Sequence, residues 1–172
     1  MKTIGYYLVW ILVAAMPLSF TSCDPDVRWD DYDYWDDPYN NGGDYLIGQA
    51  QALAGSWTGK IQVEYYDKNG QYQKNLLDTD FFFKQYNDNA INGTGYEVDY
   101  SGNKKVYDCD FRWYIDPSTR DIMIKYDDGR YLRSSNFKLD QIDRFGYANR
   151  FRGVLNGIDG SEKNTFELYR PL

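Results

Sequence analysis

The chain has 172 residues, 42% of them hydrophobic and 19% aromatic, which suits one folded unit with accessory segments and a real core. Its formal charge is −7 with no block of lysine or arginine, which excludes a nucleic-acid binder that works by neutralising phosphates. It contains no histidine, so the usual general base at neutral pH and the commonest metal ligand are both missing. Eighteen tyrosines, nine phenylalanines and five tryptophans favour strands, and fifteen glycines fit an all-β chain with many turns.

In chain order, Met1-Lys2-Thr3 is a short positive start, Ile4 to Met16 an apolar run, and Pro17 to Cys23 a junction of mostly small residues. Those are the parts of a secretory signal, and the run is short for a membrane span. An ordinary cleaved signal or a membrane anchor fits them too. Thr21-Ser22-Cys23 resembles a bacterial lipobox, although Phe20 stands where that pattern prefers leucine. The resemblance implies that residues 1–22 are a lipoprotein signal peptide. Cys23 would then be lipidated, become the mature N-terminus and hold the protein on a lipid bilayer. Cys109, the other of two cysteines, would have no partner.

Residues 23–44 are expected to be a tether. From Asp24 to Asp44 there are eight aspartates against one arginine, so the segment repels itself and lacks a periodic apolar face. Acidic residues just after a lipidated cysteine resemble the surface-export signal of lipoproteins from the Bacteroidetes group. That implies an outer-membrane, lipid-anchored protein facing outward, although a plain solvated spacer fits the charge pattern equally. Trp29, Tyr32, Tyr34, Trp35 and Tyr39 could lie on the folded unit or on a partner. Asp31, Asp33 and Asp36 miss the EF-hand spacing, so neither a metal site nor a cofactor is expected.

Residues 45–172 are expected to form the folded domain. Asp44 stands where an N-cap would start a helix over Tyr45 to Ala54, with Leu46, Ile47, Ala50 and Leu53 on one side. From Trp57 to Tyr65 positions 57, 59, 61, 63 and 65 alternate with polar ones, the period of a strand with one buried face. Gly55 and Gly59 flank the tryptophan, and glycine inside a strand marks a bulge, a corner or the close approach of other backbone.

An Asn69-Gly70 hairpin turn follows, then a strand over Leu76 to Tyr86 with Leu77, Thr79, Phe81 and Phe83 on one face. A third strand spans Gly93 to Tyr100, with Tyr96, Val98 and Tyr100 aligned on the apolar face. The fourth, Val106 to Ile115, sets Cys109, Phe111, Trp113 and Ile115 against Asp110, Arg112 and Tyr114. Four more are expected over Asp121 to Tyr126, Tyr131 to Leu139, Phe145 to Leu155 and Asn164 to Arg170. In the sixth the pattern changes phase between Leu132 and Phe137, as at a bulge.

Gly55-Ser56-Trp57 at the head of the first strand resembles the Gly-x-Trp signature of lipocalins and the related avidin-like barrels. The resemblance spans residues 53–172. It implies an all-β fold, an eight-stranded antiparallel up-and-down barrel with a short N-terminal helix across one end. It also implies that Arg170 stacks on Trp57. A β-sandwich with a buried tryptophan fits the strand count as well.

An enzyme is not expected. The paired carboxylates Asp78/Asp80 and Asp108/Asp110 fall on the polar faces of their strands, where a charged exterior accounts for them, and no catalytic constellation is visible. The expected function is binding of a small apolar, amphipathic or sugar ligand inside the barrel by Phe83, Tyr96, Trp113, Tyr126, Tyr147, Asn149 and Phe151, with Trp57 and Arg170 structural. The alternative is a filled barrel at the cell surface that engages an outer-membrane protein partner through outward aromatics such as Tyr66, Tyr86, Tyr114 and Tyr169.

Overall fold

The computed structural model describes residues 43–142 and 148–171. Helix α1 (Asp44–Leu53) precedes nine strands. These are β1 (Gly55–Tyr66), β2 (Tyr72–Gln85), β3 (Asn92–Ser101), β4 (Lys104–Ile115), β5 (Ile122–Tyr126), β6 (Tyr131–Ser134), β7 (Lys138–Ile142), β8 (Ala148–Gly157) and β9 (Glu162–Tyr169).

All strands pair antiparallel in the order β6-β5-β4-β3-β2-β1-β9-β8-β7, and an additional β6–β8 pairing closes eight of them into a barrel. Closure excludes the sandwich and removes the edges that an open meander would expose. The expected phase change is a full break. Asn136, at φ 59, separates β6 from β7, so β6 pairs the far half of β8 while β7 pairs the near half as an extra strand.

The helix position expected to be an N-cap is helical instead. Gly43 precedes the helix and Asp44 is its first residue. Leu46, Ala50 and Leu53 form the buried stripe and close one end of the barrel. Gly55, at φ +114, turns the chain directly from helix into β1, a conformation glycine adopts without strain. Trp57 is 1% exposed, and its indole N–H donates to the Leu53 carbonyl at 2.7 Å, tying the helix to the barrel. As the resemblance implied, the Arg170 guanidinium lies over Trp57, 4.4 Å from the ring centroid. It also donates to the carbonyls of Ala148, Ala52 and Ala54 at 2.6, 2.8 and 2.9 Å. Gly59 is the close approach: a Cβ there would overlap the Glu167 backbone of β9.

The interior phase of β1, β2, β4 and β9 matches the expectation, and that of β3 is reversed. Gly93, Gly95, Glu97 and Asp99 point inward, while Tyr96 is 41% exposed and stacks on Phe82 outside the barrel, centroids 5.4 Å apart. The register explains the reversal. Phe83 and Phe81 of β2 face inward and pair with Gly95 and Glu97 of β3, so those positions must share their side. Gly95 leaves room for the Phe111 ring, which a Cβ at that position would strike along with the Phe82 carbonyl. Gly95→Ala is therefore expected to destabilise the barrel by about 1–3 kcal/mol in urea unfolding, through overpacking and a shifted β2–β3 pairing. Gly102→Ala, in open space but at φ +60, should cost about 1 kcal/mol or less.

Candidate functional site

The barrel has two different halves. Toward the helix, Phe83 packs on Trp113 and Phe111 with centroids 5.8 and 5.2 Å apart, and Phe151 on Phe166 and Trp57 at 4.6 and 5.5 Å. The space among Phe81, Phe83, Phe151, Phe166 and Leu168 has no room for a water molecule. Such close packing is what a folding core needs, and it leaves no apolar ligand chamber.

Of the residues expected to line a ligand pocket, Phe83, Trp113 and Phe151 thus belong to this filled core. Tyr96 lies outside the barrel, as described above. Asn149 is exposed on the last rung at the helix end, where its carbonyl accepts from the Arg170 backbone N–H at 3.0 Å. Arg170 of the same rung lies over Trp57 and caps the interior there. Tyr147 and Cys23 lie outside the described residues. Only Tyr126 reaches from the core into the other half.

That other half is an open mouth of about 410 Å³ between the β1–β2, β3–β4 and β5–β6 turns. Its walls carry Val63, Tyr65, Leu77 and Tyr107, and its floor carries polar and ionisable groups: Glu97, Asp99, Arg130 and Asn164. A register shift in β4, where Asp99 pairs with Tyr107 but Tyr100 with Lys105, makes Val106 an extra residue and bends the strand at the mouth.

Glu97 is 3% exposed, and the Tyr126 hydroxyl donates to its Oε2. Burial is the main force on this carboxyl, with the Asp99 charge next, and together they push its pKa up to about 8. Glu97 is therefore mostly protonated at neutral pH. Asp99, two residues on and 4% exposed, is also raised, chiefly by burial, with the Arg130 charge opposing that shift.

The Arg130 guanidinium is held by rings and acceptors on several sides. It lies between the rings of Tyr107 and Tyr126, 4.4 and 4.3 Å from their centroids. It donates to the Tyr107 hydroxyl, to Asp128 at 3.0 Å and to Glu162 at 3.4 Å. Burial holds both tyrosines above their ordinary range, so they stay neutral.

Two acceptors at the floor of the mouth remain over. Asp99 Oδ1 and Asn164 Oδ1 are buried and accept no hydrogen bond among the described residues. A buried acceptor left unpaired costs roughly 1–3 kcal/mol, so its presence at a cavity floor points to a partner from outside the chain. A wider hollow of about 970 Å³ lies outside the barrel near Tyr114 and Met123, but no unpaired buried atom of the described residues faces it.

No group of three or more metal-ligating side chains gathers among the described residues. Cys109 is a half-buried free thiol packed against the core. No protein-family model matches the chain, and no curated protein or solved structure matches it significantly.

Proposed function

We propose that the chain is a lipocalin-like binding protein, non-catalytic, that holds a small polar or amphipathic molecule in its open mouth rather than in its apolar centre. One observation carries the reading: a cavity of about 410 Å³ whose floor presents buried, unpaired acceptors at Asp99 and Asn164. The closed eight-stranded barrel, the helix across one end and the Arg170–Trp57 stack support the lipocalin likeness. The charged groups of the mouth pair with one another, Tyr126 with Glu97 and Arg130 with Asp128 and Glu162, which suits a rigid binding floor better than a reaction centre. The proposal includes a lipid anchor at Cys23 and an outer-membrane, outward-facing position. It takes these from the signal-like residues 1–22 and the acidic run that follows.

Native mass spectrometry of the protein purified from its own host tests the reading. A bound small mass is expected, kept in Leu76→Ala on the outer face and lost in Tyr107→Ala, which removes a wall of the mouth. A spectrum with no added mass under gentle conditions would contradict it and favour the second reading, a surface interaction module. That reading draws on the filled core and on the tip of the β1–β2 hairpin, where Tyr66 and Tyr72 are 68% and 53% exposed with rings 5.8 Å apart.

A further inference from the structure

The mouth holds one cation among its described lining residues, Arg130, beside the carboxyls of Glu97 and Asp99. Arg130 is the cation that faces it, and both ring faces and three acceptors hold that guanidinium in place. Its ion pairs with Asp128 and Glu162 offset its charge, so the mouth presents no uncompensated cation among the described residues. What the floor offers a ligand is the lone pairs of Asp99 Oδ1 and Asn164 Oδ1, on side chains 4% and 2% exposed. Asp99 stands on β3 and Asn164 on β9, with β2 and β1 between them, so a single group seated on the floor can be approached from both sides.

A hydroxyl brings one donor and two acceptor lone pairs that need donors of their own, whereas a primary ammonium brings three donors and no acceptor. A metal ion would need a ring of oxygen ligands, and no such group gathers among the described residues. Above the floor, Val63, Leu77 and Val106, with the Tyr65 ring, give part of the wall an apolar surface for a short hydrocarbon chain, beside the polar Asn75 and Ser101. From this juxtaposition we infer that the mouth is a site for a small primary ammonium compound with an aliphatic or aromatic tail. Its head group donates to Asp99 Oδ1 and Asn164 Oδ1 while its tail lies along Val63, Leu77 and Tyr65. The inference rests on the mouth being the binding site and names the chemistry of what it takes. A charge-assisted hydrogen bond in a water-poor site is the strongest contact such a ligand can make there.

The test is isothermal titration of the purified full-length protein at neutral pH with three probes of one shape: 1-hexylamine, 1-hexanol and hexanoate. The ammonium is expected to bind at least tenfold more tightly than the alcohol, with hexanoate weakest. This ranking is read on the wild-type chain and needs no variant. Asp99→Asn keeps the shape of the side chain and should remove the preference of the amine over the alcohol while leaving the unfolding midpoint within a few degrees. Equal or tighter binding of hexanol or hexanoate, weakened by Tyr107→Ala, would overturn the ammonium assignment and leave the mouth as the site. Binding of none of the three, with no added mass on the host-purified protein, would overturn both.

Discussion

Raising the pH from 5 to 8 is expected to lower the stability of the barrel by about 2–4 kcal/mol, because one buried carboxyl has to ionise without water. Between its ordinary value of 4.5 and its folded value of about 8, Glu97 keeps in the folded protein a proton that the unfolded chain has released. Each rise in pH across that window favours the unfolded chain. The stabilisation is complete below about 4.5 and gone above about 8. Asp99 is shifted in the same direction. The exposed turn carboxylates Asp67 and Asp159 are shifted downward by hydrogen bonds to the turns, and Asp116 and Asp128 downward against their partial burial. Their contribution is lost only as the pH falls through still lower values, so stability should peak near pH 5. Urea unfolding at pH 5, 6.5 and 8 measures the slope. Glu97→Gln, which still accepts the Tyr126 hydrogen bond, should flatten it and raise stability at pH 8. A wild-type curve that is level or rising across the window would show that Glu97 is ionised in the folded protein.

Arg170→Ala is expected to cost about 3–5 kcal/mol, from the lost cation–π contact and the hydrogen bonds to the carbonyls of Ala52, Ala54 and Ala148. One guanidinium fastens the helix end, the Trp57 ring and the start of β8, so removing it should loosen the whole closed end. Arg170→Lys keeps the charge but lacks the planar fork that reaches separated carbonyls, and should restore less than half of the loss. Denaturant midpoints give the energies, and a red shift in tryptophan emission reports water reaching Trp57. A loss below about 1 kcal/mol would mean that the helix and the Trp57 N–H bond hold that end without the arginine.

The closed end was legible in the sequence because its signals are apolar and periodic. Trp57, Phe81, Phe83, Phe111, Trp113, Phe166 and Leu168 all sit at strand spacing and all face inward. The Arg170 stack followed from a local resemblance that placed two residues more than a hundred positions apart in one contact. The mouth was not legible, because apolar patterning assigns charged residues to the outside. Tyr96 was therefore expected in the interior, whereas the structure puts it outside and turns its neighbours Glu97 and Asp99 inward.

A usable signal did exist in the hairpin order: once Phe81 and Phe83 face inward, the strand opposite must present Gly95 and Glu97 to them. A tyrosine at position 95 could not have fitted beside Phe111, and the glycine there marks the inward phase. Arg130 and Asn164 gave no such clue. One lies in a turn and the other at a strand start, and only closure of the barrel brings them to Asp99.

The location of a bound molecule tests the account most directly. Amide chemical-shift mapping during titration with the low-molecular-weight extract of the host reads it residue by residue. The account predicts shifts gathered at Val63, Tyr65, Glu97, Asp99, Tyr107 and Arg130, with Trp57, Phe83 and Arg170 unmoved. Shifts centred on the closed end, or confined to the outer faces of the strands, would contradict it.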